Sequence, residues 1–141
     1  MGQLAMEKEL KLVSVELRLP PEANLAGALR LFASGLAYRL GFNTDELEDL
    51  KLTISEAFLA IIEKSRGARG QVTVKWQETP QEVTIRITDP SHTHTSVASM
   101  PVFGVLKRVA DAVTYEEGEQ PQVRIEFKLP EGEKRLYRED S

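Results

Sequence analysis

Two histidines, His92 and His94, stand two residues apart in a stretch rich in serine and threonine that opens with Asp89. Imidazole nitrogens and a carboxylate are ligands that zinc accepts, so these three side chains could form a metal or small-ligand sensor. The same residue types also make an ordinary solvated loop, and aspartate before Pro90 at a strand end is a common turn former. Glu56 is a second candidate. By residue type alone it is a polar residue on a helix face beside a loop. Lys64, Arg66 and Arg69 form a basic cluster at the end of that helix, where cations complement the helix dipole. There is no cysteine, which excludes disulfides and thiolate metal sites. The sequence holds no locally supported Ser-His-Asp set, GxGxxG, P-loop or EF-hand loop.

The elements that must position these residues follow from periodicity. Val13, Val15, Leu17 and Leu19 alternate with polar residues, which predicts a strand with one buried face. Pro20-Pro21 ends it. Leu25, Leu29, Phe32, Leu36 and Leu40 recur at helical steps and predict a helix over about 22–40, with Gly41 as its stop. Asn43 and Glu46 have the spacing of a capping box, and Phe42 with Leu47 that of a hydrophobic staple. The second helix carries a core stripe of Leu47, Leu50, Ile54, Ala57, Phe58 and Ile61. Its other side is half apolar, with Leu52, Glu56, Leu59, Ala60 and Glu63. A helix apolar on two sides lies between two things, one the sheet and the other a pocket, a loop or a partner.

Two alternating runs, Val72-Val74-Trp76 and Val83-Ile85-Ile87, predict a hairpin through a turn at Glu78-Thr79-Pro80-Gln81. After the 89–101 loop, Val102, Val105, Leu106 and Val109 predict a short helix. A final hairpin uses Ala112 to Glu116, then Val123, Ile125 and Phe127. The order β-α-α-β-β-α-β-β gives an α+β two-layer sandwich, with three helices on one face of a mixed, mostly antiparallel five-stranded sheet. The domain is expected over 11–129, after an N-terminal segment (1–10) and before a charged tail (130–141). Hydrophobic residues make up 41% of the 141 and charged residues 28%, ordinary globular usage. No run is apolar enough to span a bilayer, and the start lacks a signal-peptide core, so a cytoplasmic protein is expected. A net charge of −4 argues against direct nucleic-acid binding.

Residues along the two long helices resemble those of the anti-sigma-factor serine kinases, in the GHKL group of histidine-kinase-like ATP-binding folds. The stretch is PPEANLAGALRLFASGLAYRLGF followed by DELEDLKLTISEAF, and the most specific run is Leu50-Lys51-Leu52-Thr53-Ile54-Ser55-Glu56-Ala57. The resemblance covers residues 11–128. It implies that Glu56 occupies the place of the kinase base and that Ala60, four residues on, occupies the place of the asparagine that holds Mg²⁺. It places Asp89 at the adenine-reading aspartate, but Ser91 and Thr93 stand where that motif has glycines. In the triphosphate-wrapping Gly-x-Gly stretch only Gly104 remains. With three nucleotide motifs altered together, the expectation is a regulator with a degenerate ATP site and no cofactor, in which Glu56 and Asp89 are vestigial. Its partners would be a sigma factor or an anti-anti-sigma antagonist domain, and the resemblance also implies a homodimer. The alternatives are an active ATP- and Mg²⁺-dependent serine/threonine kinase, and a small-ligand or metal sensor using His92 and His94.

Overall fold

The computed structural model describes residues 13–64, 70–88, 90 and 100–130. The basic cluster beyond Lys64, the histidine loop with Asp89, and both terminal segments lie outside these residues. The described chain runs β1 (Val13–Leu19), a 3-10 turn (Ala23–Leu25), α1 (Ala26–Tyr38), α2 (Thr44–Lys64), β2 (Val72–Glu78), β3 (Glu82–Thr88), α3 (Pro101–Val109), β4 (Ala112–Glu116) and β5 (Gln122–Lys128). The five strands form one sheet in the order β1-β2-β3-β5-β4. Every neighbouring pair is antiparallel, so the sheet is not mixed as expected. The connection through α1 and α2 returns β2 antiparallel beside β1, and the one through α3 carries β4 to the far edge with β5 between it and β3.

Registers set the two faces. One cross-strand row places Val15, Trp76, Ile85, Ile125 and Val113 side by side. All but Val15 are fully buried, and the helices cover this face. The neighbouring row, Glu16, Lys75, Arg86, Arg124 and Thr114, lies on the other face. Period-two alternation makes that face polar throughout.

The connection into α2 is chemical and local. Asn43 accepts from the Glu46 backbone N–H at 2.8 Å, and the Glu46 carboxylate accepts from the Asn43 N–H at 2.8 Å. This is the reciprocal capping box expected from the sequence. Phe42 is buried and Leu47 packs against the core, as a staple requires. Gly41 sits at φ 85°, a left-handed conformation that glycine adopts without a side-chain penalty. It turns the chain from α1 into α2.

The expected stripe of α1 reaches the core, with Leu40 buried just past the helix, and small residues share that face. Ala26, Leu29, Ala33 and Ala37 are its buried residues, while Leu25, Phe32 and Leu36 are partly buried against the core. Small side chains let α1 approach α2 closely, and Phe32 meets Trp76 edge-on with centroids 6.4 Å apart. In α3 the buried residues are Phe103 and Leu106, followed by Ala110. Val105, expected in that stripe, is exposed.

A buried carboxylate ties α1 to the sheet. Glu78, on the core face at the end of β2, accepts from Trp76 Nε1 at 2.7 Å. The same oxygen accepts from the Arg39 guanidinium, just past α1. Glu78 is almost fully buried and Arg39 is 44% exposed, so the arginine links the buried charge to solvent. Asn43→Ala is expected to cost about 1 kcal/mol, read as a lower denaturation midpoint at unchanged slope. Arg39→Glu places a second carboxylate beside Glu78 and is expected to cost at least about 1–3 kcal/mol. A variant as stable as the parent would show that the pair holds nothing in place.

Candidate functional site

The second face of α2 is where the sequence places chemistry. Glu56, Leu59, Ala60 and Glu63 form one wall of a pocket of about 240 Å³, and Met100, Pro101 and Val102 form the other. The opposite face of α2 buries Leu50, Ile54, Ala57, Phe58 and Ile61. The angular step of 100° per residue thus keeps Glu56 off the sheet. Glu56 is half-buried and has no hydrogen-bond partner among the described residues. Ala60 is 4% exposed, shut in by the start of α3. The second thing α2 lies against is therefore α3, with a shallow pocket between them.

Pro101 sits at the first position of α3, and no side chain caps that helix. Its first-turn N–H groups open beside the pocket, apart from Phe103 N–H, which bonds Met100 C=O at 3.0 Å. Leu59 and Val102 make the lining half apolar. Thr53 and Ser55 on the same helix spend their hydroxyls on the backbone carbonyls of Asp49 and Leu52, at 2.7 and 3.2 Å. They are structural rather than available.

Gly104 is not in the pocket lining. It lies inside α3 on the exposed side, and a Cβ built there meets nothing within 4 Å. No backbone approach of the described residues requires a glycine at that position. Asp89, His92 and His94 are outside the described residues.

A model of the histidine kinase-like ATPase domain matches residues 19–102. The chain belongs to that family. The match in this histidine kinase-like ATPase domain contains β1's last residue, all of α1 and α2, the β2–β3 hairpin and the start of α3. Among curated relatives it is similar to the serine-protein kinase RsbW of Halalkalibacterium halodurans, at 28% identity over 76 residues. That alignment covers 54% of this chain and 47% of the relative. The Bacillus velezensis protein of the same name is 34% identical over 64 residues, covering 44% of this chain and 40% of its own length. The Bacillus subtilis one is 33% identical over 64 residues, with the same shares. The chain thus spans less than half the length of these relatives.

The family implies a magnesium–nucleotide, and the donor set can be tested against it. Magnesium requires several oxygen ligands in near-octahedral geometry at about 2.1 Å. At Ala60 there is a methyl group. Glu56 and Glu63 are seven residues apart, about 10.5 Å along the helix. No cluster of three or more histidine, aspartate or glutamate side chains suited to a metal occurs among the described residues. The described part of the site does not fit a magnesium ion. Gly104→Ala should raise stability by roughly 0.4–1 kcal/mol, because it removes unfolded-state freedom at an exposed helical position. A loss of stability, or a loss of nucleotide binding at unchanged stability, would show that Gly104 serves a contact the pocket geometry does not reveal.

Proposed function

We propose that this histidine kinase-like ATPase domain is an anti-sigma-type regulator whose ATP site is reduced, so that it acts by binding proteins in transcription or stress control. The partners are a sigma factor or an anti-anti-sigma antagonist domain. The observation that carries the reading is Ala60. A buried methyl group stands one helical turn from Glu56, where the resembled kinases have the asparagine that holds Mg²⁺. Glu56 without that metal has no phosphoryl group to act upon, which makes it vestigial. The pocket supports the same reading, since about 240 Å³ is below the usual 300–1,000 Å³ of small-molecule sites. The similarity to serine-protein kinases named RsbW supports the regulatory setting.

Protein binding does not depend on catalysis, so it survives the loss of the metal ligand. The outer side of α1 supports a contact role. Leu31 and Tyr38 are 76% and 62% exposed, two turns apart on the same side. Arg30 is exposed beside them. Exposed large apolar side chains grouped on one face mark interaction surfaces more often than singly scattered ones do. A homodimer through this or another face belongs to the proposal. No helix among the described residues is long and apolar enough to cross a membrane, which is compatible with a cytoplasmic setting.

Arg30→Glu tests the contact, whereas Arg39 is unsuited to it because it is tied to Glu78. The purified protein is used to capture partners from lysate of its source organism, with identification by mass spectrometry. The expected result is a sigma factor or antagonist domain, retained by Glu56→Gln and weakened by Arg30→Glu at unchanged thermal stability. Capture that fails with Glu56→Gln but tolerates Arg30→Glu would place the function in the α2–α3 pocket instead.

A further inference from the structure

The polar face of the sheet, opposite the helices, holds a second and larger hollow of about 640 Å³. Its floor is β1, β2 and β3, through Arg18, Thr73, Lys75, Arg86 and Thr88, and Gln122 of β5 continues it. Gly70 and Pro90 form one wall, and Gln120 stands at another side. Gly70 has φ 121° and its missing side chain faces Pro90, whose Cβ would lie 3.6 Å from an added Cβ. The positive φ favours glycine there, while an added Cβ would meet Pro90 only at ordinary van der Waals distance.

Charge is distributed unevenly in this hollow. The chain as a whole is acidic, at −4, yet the lining holds three cations and one carboxylate, Glu16. Glu16 bonds Arg18 at 3.1 Å. Lys75 and Arg86 face each other directly across β2 and β3, and like charges in that relation repel. Among the described residues neither forms an ion pair, although Glu16 stands opposite Lys75 across β1 and β2. Arg86 donates to the neutral Gln77 amide oxygen at 2.5 Å. The next cation in the row, Arg124, does have carboxylates, Glu126 at 3.3 Å and Glu116 at 3.5 Å. The unbalanced charge is thus centred on Lys75 and Arg86. Around it lie neutral hydrogen-bonding side chains: Thr73, Thr88, Gln71, Gln120 and Gln122.

We propose that this hollow binds a small anion carrying two or more phosphoryl groups. Guanidinium offers paired N–H donors that match phosphoryl oxygens, and the ammonium adds a compact point charge. Adjacent strands lie about 4.8 Å apart, so Lys75 and Arg86 address neighbouring charged groups rather than one. The threonine and glutamine side chains suit the remaining oxygens or hydroxyls of such a ligand. The hollow's volume is that of a small-molecule site, and its walls at Gly70–Pro90 and Gln120 bound it as a long acidic peptide would not require. The site lies across the sheet from the α2–α3 pocket and stands whether or not that pocket takes a nucleotide.

The test is calorimetric titration of the whole chain with sodium tripolyphosphate, inorganic phosphate and pentaglutamate at an ionic strength of about 0.05 M. Tripolyphosphate is expected to bind, to bind more tightly than the other two, and to weaken as salt rises. Arg86→Gln and Lys75→Gln are each expected to weaken it about tenfold, whereas Arg108→Gln at an exposed position of α3 leaves it unchanged. Amide shifts on titration should fall on residues 73–75, 86–88 and 120–122. Absence of binding, affinity indifferent to both β-strand variants, or shifts confined to α2 and α3 would each overturn the proposal. Pentaglutamate binding as tightly as tripolyphosphate would also overturn it, in favour of an acidic protein surface.

Discussion

The structure depends on α2 being buried on two sides at once. Leu50, Ile54, Ala57, Phe58 and Ile61 are fully buried on its core face, and the helix packs on β3 and β5. Each such side chain stabilises the fold by about 1.5–3 kcal/mol on burial, alanine by less. The helix then serves as the floor for α1 on one flank and α3 on the other. Ala60 belongs to this constraint as well as to the site. A larger polar residue there would have to be accommodated under the first turn of α3, where Pro101 and Val102 now close over it. Covering Ala60 and packing α3 close to α2 are thus two aspects of one arrangement.

Electrostatics are arranged differently on the two faces of the sheet. On the helix side one carboxylate, Glu78, is buried, and it receives Trp76 and Arg39 as donors. A buried charge of this kind is tolerated because it is hydrogen-bonded, and removing a donor exposes its desolvation cost. Its position at the end of β2 fixes where α1 ends, which in turn fixes the Gly41 turn and the start of α2. On the open face charges are many, with the cations Lys75, Arg86 and Arg124 side by side on β2, β3 and β5 and carboxylates concentrated beside Arg124. The acidic total of the chain conceals the cationic centre at Lys75 and Arg86.

What was legible in the sequence is what side chains decide locally. Asn43 and Glu46 bond each other's backbone three residues apart, so the capping box can be read without knowing the fold. Strand alternation fixed all five strands and both faces of the sheet, and the order of elements followed. The all-antiparallel pairing was less legible, because it depends on where the α3 connection returns the chain. The leucine stripe of α1 was legible, but the alanines that share its buried face were not. Leucines mark a hydrophobic stripe, but how closely two helices approach decides that Ala33 and Ala37 take the tightest positions. At the site, the position of Glu56 off the core stripe followed from helical geometry alone. That Ala60 would be covered by α3 did not, since nothing local to residues 56–60 specifies what packs on them. Gly104 was singled out by its residue type, whereas the structure gives it an ordinary exposed helical position. The hollow around Lys75 and Arg86 was missed altogether. The signal for it was present in the alternation, as cations at the same phase of facing strands, but only the register places them opposite each other.

The central claim is that the α2–α3 region no longer handles a magnesium–nucleotide, and that the fold has been kept for protein contact. Its most direct test is calorimetric titration of the chain with Mg-ATP, with and without EDTA, in Arg86→Gln background to silence the open face of the sheet. The account predicts no saturable, magnesium-dependent heat. A dissociation constant of about 10 μM or tighter that is lost on chelating magnesium would contradict it and make the chain a kinase with a rebuilt metal site.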